Sequence, residues 1–291
     1  MSKVRTDLII EAEGLEAGTV VMGSKDREKQ AGQSGVSIKE EWNDEKTMKV
    51  TVVQICSEDG AKAMERPMGT YITIELPDLL EEEEKIKELA EQELSRQLLE
   101  LLKEKASEHM LVVGLGNREV TADAVGPLTI DGLLVTRHYF QQESIRPVME
   151  EKYRKVSAFV PGVMAQTGME TMELIRGVVE EAKPDVVVVV DALAARSPKR
   201  LNTTIQLTDT GISPGAGVGN NRKELNEKSL GCPVIAIGVP TVLDAATIAK
   251  EEVAEEVKNL FVMPRNIDSS VQYVSELVAG GINRVNQKNG I

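Results

Sequence analysis

Asp123 and Asp191 are the side chains whose types and settings could do chemistry. Asp123 lies in Val113-Gly114-Leu115-Gly116-Asn117 … Thr121-Ala122-Asp123-Ala124-Val125-Gly126-Pro127, and Asp191 directly follows Val186-Val187-Val188-Val189-Val190. Each block opens on an apolar run of the kind that forms a buried strand. In parallel α/β proteins, groups at the carboxyl ends of strands converge on the crevice where ligands bind. Two carboxylates meeting there can share a proton or hold a metal ion, and either arrangement can activate water for hydrolysis. Taken singly, each has a plainer explanation. A first-turn aspartate such as Asp123 suits the positive end of a helix dipole. Asp191 could pair with Arg196, since a carboxylate ending a valine strand is costly to bury without a partner.

The other motifs point away from familiar cofactors. Gly114-Leu115-Gly116 after a strand suggests a dinucleotide fingerprint, but the third glycine position is Glu119, whose charge opposes a pyrophosphate. The run Gly211-Ile212-Ser213-Pro214-Gly215-Ala216-Gly217-Val218-Gly219-Asn220-Asn221-Arg222-Lys223 resembles a phosphate cradle without its Gly-Lys-Ser/Thr ending. Its glycines suit close approach or left-handed turns, and its amides could receive an extended peptide or an oxyanion. A merely tight loop explains it equally well. His109 and His138, the only histidines, lack metal-site spacing, and Cys56 and Cys232 have no evident neighbouring base. No cofactor and no metal are expected.

The elements that must position the aspartates follow from periodicity. Residues 48–56 and 71–76 read as strands, with a short helix at 57–64 capped by Ser57. Apolar residues from Ile86 to Leu102 recur at helical spacing within 77–107. Short apolar runs at 110–115, 156–160, 186–190, 203–207 and 234–239 alternate with helical stretches at 121–138, 168–182 and 241–257. That alternation implies βαβ units and a mostly parallel, three-layer α/β sandwich. A last helix is expected near 267–285, and residues 1–45 read as an irregular entry segment.

Composition sets bounds on partners. The 291 residues carry 34 Lys and Arg against 47 Asp and Glu, a net charge of −13, which argues against a nucleic-acid surface. Aromatic content of 3% leaves little for base stacking. No apolar run approaches a membrane span or a signal-peptide core, and the two cysteines suit a reduced cytoplasmic setting.

Together, the blocks resemble the germination protease family of spore-forming bacteria. The resemblance rests on the Asp123 and Asp191 blocks, on residues 209–223, and on Pro161-Gly162-Val163-Met164 … Thr167-Gly168-Met169-Glu170-Thr171. It extends to Pro233-Val234-Ile235-Ala236-Ile237-Gly238-Val239-Pro240-Thr241-Val242-Leu243-Asp244-Ala245, Val4-Arg5-Thr6-Asp7-Leu8, Gly69-Thr70-Tyr71-Ile72-Thr73 and Val278-Ala279-Gly280-Gly281-Ile282-Asn283. It implies a core similar to hydrogenase-maturation endopeptidases, with an N-terminal strand-helix extension: a propeptide at 1–7, then one protease domain at 8–291, with the extension at 8–76 and the core at 77–291.

The implied activity is an endopeptidase that starts the degradation of small acid-soluble spore proteins at germination. Such proteases are made in the forespore as self-processing zymogens and assemble as homotetramers. Their substrates are cut between an acidic and an aliphatic residue, in a pattern like Glu-Ile-Ala-Ser-Glu. Asp7-Leu8-Ile9-Ile10-Glu11 has the same junction and trailing glutamate, so self-cleavage is expected between Asp7 and Leu8. Asp123 and Asp191 would share the work on water. Asn117 and the amides of Gly215 and Gly217 would steady the oxyanion, and Arg196, Arg222 or Lys223 would receive the acidic side chain. Ser213 stands where relatives often carry a histidine, which favours an aspartate-only mechanism. The alternatives are a metal held by the two aspartates with Asp209 or Asp244, and a non-catalytic module that binds spore proteins.

Overall fold

Burial of the valine run on both sides decides the architecture. The computed structural model describes residues 6–12, 35–43, 47–76, 83–102, 108–213, 223–248, 257 and 260–288. Val186–Ala195 forms strand β6. Its Val186, Val188 and Val190 join one apolar cluster, and Val187 and Val189 join another, as the two-residue period of a strand requires. Each fully buried valine or leucine contributes about 1.5–3 kcal/mol, so both faces must be covered.

The remaining strands are β1 (Val36–Trp42), β2 (Lys49–Ile55), β3 (Gly69–Glu75), β4 (His109–Gly114), β5 (Lys155–Phe159), β7 (Thr204–Thr208), β8 (Val234–Asp244) and β9 (Phe261–Val262). They form one sheet in the order β1-β2-β3-β7-β8-β6-β4-β5, with β9 on the end of β8. Of the five runs expected in the parallel sheet, four form the group β5-β4-β6-β8; the fifth, β7, runs antiparallel to both β8 and β3. β7, β3, β2 and β1 extend the parallel group as an antiparallel arm.

The helices are α1 (Glu58–Met64), α2 (Glu83–Leu102), α3 (Val125–Asp131), α4 (Arg146–Lys152), α5 (Met164–Thr167), α6 (Thr171–Ala182), α7 (Glu227–Leu230) and α8 (Ile267–Asn286). Leu94 and Leu98 of α2, Val125 of α3 and Val271, Val274 and Val278 of α8 cover one face. Met172, Ile175 and Val179 of α6 cover the other, with Leu225 and Leu230. The three layers expected from the sequence are present. Ser57 caps α1 as expected, its Oγ accepting from Gly60 N at 3.0 Å.

Besides the direction of β7, three elements differ from the sequence reading. Residues 36–42, placed in the irregular entry segment, are a strand, because Val36 and Ile38 alternate into a cluster with Val53 and Ile55 of β2. The stretch 121–138 is not one helix. A 3-10 turn, Thr121–Asp123, precedes α3, and a second 3-10 turn begins at Arg137. Residues 241–244 continue β8 rather than opening a helix, since they pair with the end of β6 and with β9. Asp244 then caps a 3-10 turn, accepting from Ala246 N at 2.9 Å.

Candidate active site

The chain leaves β4 toward β5 on one side and leaves β6 toward β7 and β8 on the other. The sheet therefore has its switch point between β4 and β6, where open α/β sheets form their ligand crevice. Asp123 follows β4 and Asp191 lies on β6 just beyond Val190, the last residue that pairs with β4. Two residues far apart in sequence are thus carried to one end of two adjacent parallel strands.

Glycines let the Asp123 turn rest on the strand ends. A Cβ on Gly126 would lie 2.3 Å from Leu115 O and 2.6 Å from Val190 O. Gly116 has φ +109°, and a Cβ there would lie 1.9 Å from Asp123 O. The Gly114-Leu115-Gly116 signal that suggested a cofactor thus serves close approach of the chain to itself. Asn117 N donates to Asp123 Oδ2 at 2.8 Å and to Asp123 O at 3.1 Å, fixing the carboxylate. On the far side, Thr241 is skipped in the β6–β8 register, since Leu193 pairs with Pro240 and Ala194 with Val242. This bulge re-aims a side chain, as bulges beside sites do: the buried Thr241 Oγ1 donates to Ala122 O at 2.6 Å. Nothing in the sequence marked Thr241 for this role.

Asp191 is 5% exposed and Asp123 half-buried. Asp191 Oδ1 accepts from Ala192 N at 2.9 Å. The loop after β4 is braced by Arg118, which bonds to Asp131 at the end of α3 and to Pro127 O. The Arg118 guanidinium holds the Asp131 carboxyl below its ordinary range. Asn117 Oδ1 accepts from Glu119 N and from Gln166 Nε2. The latter bond joins the loop to α5, and exposed Val120 and Met164 stand on the two segments it links.

The N-terminal segment 6–12 docks beyond Asp191 on the same strand. Asp7 N donates to Ala194 O at 3.0 Å, and Asp7 Oδ2 accepts from Ala194 N at 2.9 Å. Leu8 is 0% exposed among Leu193, Ala195, Leu201 and Leu243, while Ile9 enters the cluster beneath β1–β3. The Glu11 carboxylate accepts from Arg196 N at 2.7 Å and Ser197 N at 3.1 Å and pairs with Arg200 Nε at 3.1 Å. Arg196 Nη1 reaches Glu11 O at 3.2 Å. Arg196, expected to receive the acidic side chain before the cut, bonds instead to Glu11, the trailing glutamate of the Asp7-Leu8 motif, while the Asp7 carboxylate accepts from Ala194 N.

The structure brings Asp123, Asn117, Asp191, Arg196, Asp7 and Leu8 to one end of the sheet. Gly215, Gly217 and Arg222 lie outside the described residues. Asp209 and Asp244, the further acids considered as metal ligands, hold Thr70 N and Ala246 N. Among the described residues, no group of three or more His, Cys, Asp or Glu could hold a metal ion.

Residues 14–258 match the sequence profile described as germination protease. The chain belongs to the germination protease family. Its relatives include the germination protease of Caldanaerobacter subterraneus subsp. tengcongensis, 48% identical over 88% of this chain and 74% of that protein. The Clostridium tetani germination protease is 41% identical over 96% of this chain and 94% of its own length. A Geobacillus germination protease is 47% identical over 87% and 67%. Among solved structures, the NiFe hydrogenase maturation protease HycI of Thermococcus kodakarensis aligns over 64% of this chain and 98% of its own, with 18% identity and a TM-score of 0.36. Membership of this family makes the chain a protease. Among the described residues, no helix is long and apolar enough to cross a membrane.

Proposed function

We propose that this protease is an endopeptidase that begins the breakdown of small acid-soluble spore proteins during germination. In this reading it acts in the spore core as a homotetramer and needs no metal. It is made as a zymogen whose propeptide, residues 1–7, is removed by self-cleavage between Asp7 and Leu8, leaving one protease domain at 8–291. The observation that carries the reading is the placing of Asp123 and Asp191 at the ends of the adjacent parallel strands β4 and β6. Docking of the Asp7-Leu8 junction on Ala194, farther along the strand that bears Asp191, supports the self-cleavage step.

The chemistry follows from the pair. Two carboxylates brought into contact do not readily both ionise, so in this mechanism the two aspartates would work as a pair with one proton between them. The ionised member takes a proton from water while the protonated member polarises the peptide carbonyl. Water oxygen bonds to the carbonyl carbon, the C–N bond then breaks, and the departing amine takes up a proton. The Asn117 side chain and the amides of Gly215 and Gly217 would help to steady the oxyanion.

The test is digestion of a purified small acid-soluble spore protein, with the new termini read by mass spectrometry. Cuts between an acidic residue and a following aliphatic one are expected. Intact substrate, or cuts without an acidic residue before the bond, would contradict the proposal.

A further inference from the structure

Resting on the reading that the Asp7-Leu8 bond is the one cut, we propose that Gln206 is a catalytic residue that binds the carbonyl oxygen of that bond. Gln206 lies on β7 and is 8% exposed. Its Nε2 donates to Asp7 O at 3.2 Å and its Oε1 accepts from Ile9 N at 2.6 Å. The carbonyl of Asp7 is the one that water must attack. A single side-chain amide therefore grips the backbone on both sides of Leu8, with its donor on the reacting oxygen and its acceptor beyond it. The orientation of the amide is fixed by its partners: the Ile9 N–H needs an acceptor and the Asp7 carbonyl needs a donor.

Strand register puts this donor in line with the acid. Asp191 pairs with Gly238 in the β6–β8 ladder, and Gly238 pairs with Gln206 in the β7–β8 ladder. Directly paired residues project to the same face, and neighbouring strands lie about 4.8 Å apart. Asp191 and Gln206 thus flank Gly238 on one face, with backbones roughly 10 Å apart. That spacing would admit a peptide group and a water between the carboxylate and the amide donor once the side chain that now fills it moves. In the uncut chain the Leu193 side chain rests on Gly238 and packs against Leu8. Leu193 thus fills the space over Gly238, which Asp191 and Gln206 flank in the register, and the proposed cut requires it to turn aside.

The step is plain hydrolysis. Water oxygen adds to the Asp7 carbonyl carbon, its proton passes to the ionised aspartate, and the negative charge develops on the oxygen that Gln206 Nε2 already holds. Collapse breaks the bond to the Leu8 nitrogen, which takes up a proton. Gln206 gives up no proton and acts only by stabilising charge. Removing one such donor slows reactions by about 100- to 1000-fold.

The experiment compares full-length wild type with Gln206→Glu and Gln206→Met. Release of residues 1–7 is followed by intact mass, and cleavage in trans of a peptide with an acid–aliphatic junction is followed by kcat and KM. Gln206→Glu keeps the acceptor for Ile9 N and loses the donor, so it isolates the proposed role. Should its buried charge prevent folding, Gln206→Met, near in size and uncharged, is read in its place. The expected result is a fall in kcat of about 100-fold or more with KM changed by less than about 3-fold. A variant that folds and cuts at the wild-type rate, or whose loss lies in KM, overturns the assignment of Gln206 alone. A wild type that cuts neither its own Asp7-Leu8 bond nor the peptide removes the underlying reading, and the proposal with it.

Discussion

Asp191→Asn is expected to lower peptidase turnover by roughly 1000-fold or more while leaving the fold intact. The asparagine keeps the shape of the side chain and an acceptor for Ala192 N, the bond that Asp191 Oδ1 makes now. It cannot take a proton from water or share one with Asp123, as the proposed mechanism requires. Stability should change little and can rise, because a carboxylate only 5% exposed is an expensive group to bury. Turnover on an acid–aliphatic peptide and the thermal midpoint, measured on the same preparation, separate the two effects. A variant that unfolds with the loss of activity would assign Asp191 a structural role. Undiminished turnover would remove it from the mechanism.

The second large effect is expected at a residue that touches no substrate. Gly126→Ala places a methyl 2.3 Å from Leu115 O, just past the end of β4, and 2.6 Å from Val190 O of β6, both backbone atoms. Neither can move without disturbing the β4–β6 ladder, so the Asp123 turn must lift instead. Overpacking of this kind costs about 1–3 kcal/mol. A displacement of about 1 Å at a reacting group costs on the order of 100-fold in rate. Gly177→Ala on α6 supplies the control, since a Cβ there meets nothing within 4 Å. That change should stabilise the helix by about 0.5–1 kcal/mol and leave turnover alone. Equal behaviour of the two alanine variants in melting and in turnover would show that the close approach at Gly126 does not set the site.

The contrast between Asp191 and Gly126 marks what was legible in the sequence. Asp191 was readable because five valines ahead of it dictate a strand buried on both faces, and a carboxylate ending such a strand calls for a reason. Asp123 was readable because it follows another buried strand, in the turn that leads into a helix. Helices α2, α6 and α8 were likewise visible in their apolar spacing. Gly126 and Thr241 were not, because their roles depend on how closely one segment lies on another. The bulge that aims Thr241 at Ala122 exists only in the pairing of β8 with β6. Residues 6–12 were harder still. Leu8 and Ile9 enter two different apolar clusters, so both sides of this short segment are covered and it shows no polar–apolar alternation. Glu11 reads as a solvated charge until its partners, 185 and 186 residues downstream, are brought to it.

The docked position of that segment gives the account its most direct test: intact mass over time at mildly acidic pH, with Asp123→Asn run in parallel. The two-aspartate site predicts that the wild type alone loses residues 1–7, leaving a chain that begins at Leu8. Equal loss from both proteins, or a cut at another bond, would contradict it.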